Sequence, residues 1–194
     1  KEMVERDNAF LITSGVGTAT GMAIKDYLAY QKVPFLFPSS GSAQFAHPMN
    51  RYVFSGIPPY CDEAAVLTDY AIDQLNMKKF AIIYQNDDFG KTGLAGATLA
   101  LEQRGLELVE KVSVEVMDSD LSSHALRLKE SGADAVLLYV INRSAAIVLG
   151  ETAKIGYKPT WLASVTLANM PLMYKITQGA WKDVIFAAFF EQPD

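Results

Sequence analysis

Three observations predict an α/β fold built on a mainly parallel sheet. Apolar runs of strand length alternate with longer stretches of helical period, the pattern of successive βαβ units. Two of the runs, Phe80-Ala-Ile-Ile-Tyr84 and Ala135-Val-Leu-Leu-Tyr-Val140, are apolar almost without interruption, as expected of central strands covered by helices on both faces. Glycines close two of the helical stretches, Gly105 and Gly132, where a left-handed cap residue is wanted.

Along the chain, the first expected strand, 9–13, opens into the small-residue turn Ser14-Gly-Val-Gly-Thr18, and a helix is expected over 18–31. A strand at 34–37 opens into Pro38-Ser-Ser-Gly-Ser42. The strand at 52–56 runs into Pro58 and Pro59, which deny further ladder donors and bias the chain to an extended path, so it reads as a strand leaving its sheet. That crossover divides the chain into 1–59 and 60–194. The first part then holds three strands and one good helix, too little to bury both faces of a sheet.

A helix over 60–76 leads to the strand at 79–84, and Asn86-Asp-Asp-Phe-Gly-Lys91 to a helix over 91–104. There Asp87 or Asp88 fits an N-cap, with Gly90 permitting the turn. After a strand at 107–115, the helix expected over 120–131 places Leu121, Ala125 and Leu128 on one face, with Asp120 as its N-cap. Strands at 134–141, 160–164 and 184–189 and helices over 143–155 and 168–178 complete the alternation.

The 194 residues are 50% hydrophobic and 20% charged, ordinary for a packed domain or two. The net charge of −5 comes with no basic run, so the electrostatic footprint of a nucleic-acid binder is missing. No apolar window approaches the roughly 18 residues that span a bilayer, and the first residues lack the layout of a secretion signal, which predicts a soluble chain as given. The single cysteine, Cys61, forbids an internal disulfide, and with only His47 and His124 as imidazoles neither a metal nor a cofactor is expected.

Gly15-x-Gly17-x-x-x-Gly21 follows a strand and opens a helix, but its third glycine is one place late for a dinucleotide fingerprint and no acidic residue ends a following strand. The turn still presents N–H groups and a partial positive charge, suiting a carboxylate or phosphate. It also fits a plain tight turn with Thr18 as a cap. Pro38-Ser-Ser-Gly-Ser42 alone is a polar loop. Together the two segments gain weight, because ligands of open α/β sheets sit beyond the carboxyl ends of strands. Phe89 reads as an apolar wall at another strand end. A Ser-His hydrolase is disfavoured, since no G-x-S-x-G elbow is present.

Taken in order, Leu11 to Thr20, Val33 to Ser42, Tyr52 to Pro58, Lys79 to Lys91, Asp118 to Leu128 and Gly132 to Leu137 resemble the type I periplasmic binding proteins. The likeness is to the leucine/isoleucine/valine-binding branch that delivers ligands to ABC importers, and it covers essentially the whole chain. It implies two doubly wound, mainly parallel lobes, the first incomplete here, with a crossover back toward lobe one near 187–194. It also implies a ligand cleft that closes about a hinge near Ser55 to Pro59, and no catalysis. The implied location is periplasmic or extracellular, with or without a lipid anchor, and the implied partners are a small-molecule carboxylate and the membrane subunits of an ABC transporter.

In relatives, the turn matching Val16, Gly17 and Thr18 and the loop matching Ser39, Ser40, Gly41 and Ser42 hold the ligand carboxylate and part of its ammonium. An aromatic matched by Phe89 packs on the ligand, and a site near Ile141 and Asn142, often aromatic in relatives, lines the far wall. Amino-acid-binding relatives place an acidic residue within the stretch matching Ala163-Ser-Val-Thr166, where Val165 stands here. An unpaired buried ammonium is costly, so aliphatic or aromatic acids gain over branched-chain or aromatic amino acids as the expected ligand. A ligand-sensing ectodomain of the same fold is the alternative, and a Rossmann-type nucleotide enzyme the third. An incomplete first lobe leaves open edges, from which self-association is expected.

Overall fold

A strand extends only as far as neighbours supply partners, and this sets element lengths in the computed structural model, which describes residues 1–189. A short helix α1 (Glu2–Glu5) precedes β1 (Ile12–Thr13), α2 (Thr18–Tyr30), β2 (Phe35–Leu36) and β3 (Val53–Phe54). There follow α3 (Tyr60–Asp73), β4 (Phe80–Gln85), α4 (Asp88–Gln103), β5 (Leu108–Val114), α5 (Ser122–Glu130), β6 (Ala135–Tyr139), α6 (Asn142–Lys154), β7 (Thr160–Ala163), α7 (Met170–Ile176) and β8 (Ile185–Phe186). Single 3-10 turns stand at Ala43–Phe45 and Val165–Leu167.

The strands form two parallel sheets, one in the order β1-β2-β3 and one in the order β5-β4-β6-β7-β8. In the second, the chain steps outward from β4 to β5 and then returns to β6 on the other side of β4. The resulting reversal between β4 and β6 is the switch point at whose carboxyl edge a crevice forms. One face of this sheet buries Ala81, Ile83, Val136 and Leu138 with Leu121, Leu128, Val148 and Trp181. The other buries Phe80, Ile82, Leu137 and Leu162 with Leu67, Ala97 and Leu101. Helices thus cover both faces, which explains why β6 and β4 up to Tyr84 are apolar. The small sheet has its own core of Leu28, Val33, Phe35, Phe45 and Val53.

Several expectations change in detail. The run 9–13 forms a ladder only at Ile12–Thr13, with Phe10 exposed, because no partner strand reaches further. The expected helix over 91–104 starts at Asp88, since Asp87 holds the N-cap and accepts the Gly90 N–H at 3.2 Å. Gly90 is needed for close approach: a Cβ there would lie 2.1 Å from the Gln85 carbonyl oxygen, and its backbone is not left-handed. Asp120 lies one residue ahead of the α5 cap position, and its Oδ1 accepts the Ser122 N–H at 2.9 Å. Gly105 and Gly132 do take left-handed conformations, at φ of 68° and 66°. The crossover expected near 187–194 lies largely outside the described residues. No described helix is long and apolar enough to cross a membrane.

Candidate functional site

The tips of β1 and β2 are tied together beyond their last paired residues. Val16 and Ser39 form a parallel bridge, Ser39 N–H donates to the Gly15 carbonyl at 2.9 Å, and Gly17 N–H donates to the Ser39 carbonyl at 3.4 Å. Gly17, not Thr18, occupies the N-cap position of α2, at φ 100°, a left-handed conformation that a side chain would strain. No side chain caps this end, so first-turn N–H groups are left without the acceptor an N-cap side chain would supply. Thr18 is buried, and its hydroxyl lies 2.7 Å from that of Ser40.

These residues face the carboxyl edge of the larger sheet across a cleft of about 260 Å³. From the first sheet, Val16, Gly17, Thr18, Ala19, Thr20 and Ser39 line it. From the second come Tyr60, Gln85, Asp87, Phe89, Ile141, Asn142 and Thr166. Ile141 stands at the N-cap of α6, again without a side-chain cap. Two helix N-termini from opposite sheets therefore open on one space, each presenting backbone donors and the positive end of a helix dipole. The Asn142 amide is committed to the Met173 sulfur at 3.2 Å. Phe89 packs edge-on to Tyr60 with ring centroids 4.9 Å apart and leans on Tyr139 at 5.8 Å.

Of the residues expected at the site, Val16, Gly17, Thr18, Ser39, Phe89 and Asn142 line the cleft. Ser40, Gly41, Ser42 and Val165 do not. Ser40 is fully buried, bonded to Thr18 and accepting the Ser42 N–H at 3.2 Å. Gly41 is covered by the Pro58 carbonyl and the Tyr60 ring, which a Cβ would meet at 2.6 and 2.8 Å. The Ser42 hydroxyl donates to Asp88 of α4, whose other oxygen accepts from the Gln44 side-chain amide. Val165 turns its N–H to Glu63 at 3.3 Å, and its neighbour Thr166 is the one on the wall.

Burial raises the Tyr60 phenol above its usual pKa, and hydrogen bonding from the Gly41 backbone, Ser40 and Thr18 opposes the rise. The Tyr60 ring thus shares the polar groups of the second loop. Sequence reasoning missed Tyr60, Gln85 and Thr166 as wall residues. Gln85 carried a usable signal, a polar residue ending an apolar strand, but its importance depends on β4 flanking the switch point, which strand order alone reveals.

A family model described as periplasmic binding protein matches residues 1–194. The chain is 29% identical over 160 residues to the Leu/Ile/Val-binding protein homolog 3 of Brucella melitensis, covering 82% of this chain and 42% of that protein. Among solved structures, a leucine binding protein LivK from Thermotoga maritima superposes with a TM-score of 0.90 at 16% identity, covering 98% of this chain and 54% of that one. A solute binding protein of an ABC transporter from R. palustris, in complex with 4-hydroxybenzoate, superposes at 0.81 with 19% identity, covering 91% and 48%. The chain therefore spans about half the length of these relatives. Its two parallel sheets, the cleft between their carboxyl edges and the match along all 194 residues make it a member of the periplasmic binding protein family, of the type I, leucine-binding-protein-like branch.

Proposed function

We propose that this chain forms the ligand-holding part of an extracytoplasmic solute-binding protein of an ABC importer, and that its cleft takes a small carboxylate. The observation that carries this reading is the pair of helix N-termini, α2 and α6, without side-chain caps and facing one cleft. Such ends hold an anion through backbone N–H groups and dipole, without a lysine or arginine. The Gly17–Thr18 turn takes the carboxylate, Ser39 and Asn142 border it, and Phe89 supplies the apolar wall. Ser40 acts from behind by holding the Thr18 hydroxyl, and Ser42 by joining the first sheet to α4. In this reading residues 1–59 and 60–194 are two lobes, and the chain between Ser55 and Pro59 is the hinge. Relatives named for leucine and complexed with 4-hydroxybenzoate support a carboxylate as the shared feature of the ligand.

Calorimetry on the full-length protein with leucine, 4-methyl-2-oxopentanoate and benzoate tests the reading. At least one of the three is expected to bind, with affinity weakened about tenfold by Thr18→Val through loss of one hydrogen bond to a charged group. Failure of all three to bind would refute it.

A further inference from the structure

Among the described residues, two buried side-chain oxygens lack a hydrogen-bond partner, Glu63 Oε2 and Gln85 Oε1. Only Gln85 belongs to the cleft wall, where it is 7% exposed. Its backbone cannot shift easily. Gln85 ends β4, is paired with Val114 of β5, and has Gly90 of α4 packed against its own N and O atoms.

The side chain is fixed as well. Gln85 Nε2 donates to Asp87 Oδ2, while Asp87 Oδ1 accepts the Gly90 N–H as the cap of α4. A carboxylate has only acceptors to offer, so the amide must turn its NH₂ group toward Asp87. The carbonyl oxygen, itself shielded from solvent, is then left with nothing to accept, in a residue that lines the cleft beside the switch point. An acceptor buried in this way is costly to leave unsatisfied.

We infer that Gln85 Oε1 is a specificity determinant that accepts a hydrogen bond from an O–H or N–H group of the ligand. This rests on the carboxylate reading of the cleft above and narrows it: the ligand class is a small carboxylate that also carries a hydrogen-bond donor. Selection works through the penalty on the wrong ligand. A donor-less analogue closes the cleft over an oxygen that remains unpaired, and sites of this kind reject such analogues more strongly than apolar pockets reject a missing methylene.

The test uses two matched pairs of probes on the full-length protein, 4-hydroxybenzoate with benzoate and leucine with 4-methylpentanoate, each titrated by calorimetry. In at least one pair the donor-bearing member is expected to bind more tightly, by a factor on the order of ten to a hundred. That ratio should fall toward one in Gln85→Leu. It should also fall in Asp87→Asn, which keeps a good N-cap residue but offers an N–H that can occupy or reorient the Gln85 amide. The second variant leaves Gln85 in place, so it separates the role of the oriented oxygen from damage caused by replacing the side chain. Equal binding within both pairs, or a ratio that survives Gln85→Leu, would overturn the inference while leaving the carboxylate reading intact. Binding of none of the four probes would overturn both.

Discussion

Glu63 shows how one side chain can tie the stability of this fold to pH. It lies in the first turn of α3, and its Oε1 accepts from the Tyr139 hydroxyl at 2.9 Å and the Val165 N–H at 3.3 Å. Burial raises its pKa, and hydrogen bonding from Ser164, Tyr139 and Val165 opposes the rise. Because the folded value lies above the unfolded one, the fold favours the protonated form. The associated stability is fully present below the ordinary glutamate pKa and is lost as pH rises through the raised one. Within that window the loss is at most about 1.4 kcal/mol per pH unit. Glu63→Gln keeps the acceptor for both donors without the ionisation, so urea midpoints measured from pH 4 to pH 8 should fall less for the variant than for the parent. Parallel curves would show that burial does not shift this group. Nothing in Tyr60-Cys-Asp-Glu63 marks the role, since an acid in the first turn of a helix is ordinary. Tyr139 and Val165, which define it, lie more than seventy residues away in sequence.

At the scale of elements, α4 is the piece on which the arrangement turns. Gly90, Gly93 and Gly96 form a stripe that lets it settle against the Gln85 backbone, the Tyr139 ring and the Cys61 backbone, where added Cβ atoms would each come to 2.1 Å. From its first turn Asp88 reaches across to Ser42 and Gln44 beside the small sheet. This bridge is made by protein groups alone. On the two-lobe reading proposed above it favours closure of the cleft, and apparent affinity scales with the fraction of molecules in the binding-competent state. Asp88→Ala should therefore weaken all ligands by one common factor, on the order of tenfold to a hundredfold for hydrogen bonds to a charged partner, as read by calorimetry on two unlike ligands. A change in their affinity ratio would show that Asp88 touches selection as well. The start of α4 was partly legible, because Asp87 reads as a cap. Asp88 was not, because a second acid at a helix start looks redundant until the Ser42 loop is placed beside it.

For the whole molecule, the two sheets are unequal. The larger is covered on both faces, whereas the three-stranded one leaves Phe10, Tyr30, Met49 and Phe54 exposed at 84%, 83%, 90% and 48%. β3 is an edge strand among the described residues and carries Phe54. Open edges with apolar side chains invite pairing. Light scattering on the 194-residue chain should show a mass that rises with concentration, and Phe54→Lys should reduce the rise. A constant monomer mass would contradict this. The alternation of runs made the βαβ character and nearly every element legible, because burial on both faces leaves a strong mark on composition. The cleft was half legible: the glycine and serine turns announced themselves, but which of their residues look outward depends on the Tyr60 ring and the Asp88 bridge, supplied by the starts of α3 and α4. The pair of helix ends bordering the cleft has one more consequence. Their pull on an anion comes from peptide groups, which have no proton to lose or gain under physiological conditions. On the reading proposed above, capture by this route should hold steady as the acidity of the surroundings drifts, a tolerance that histidine tethers could not offer across the same range.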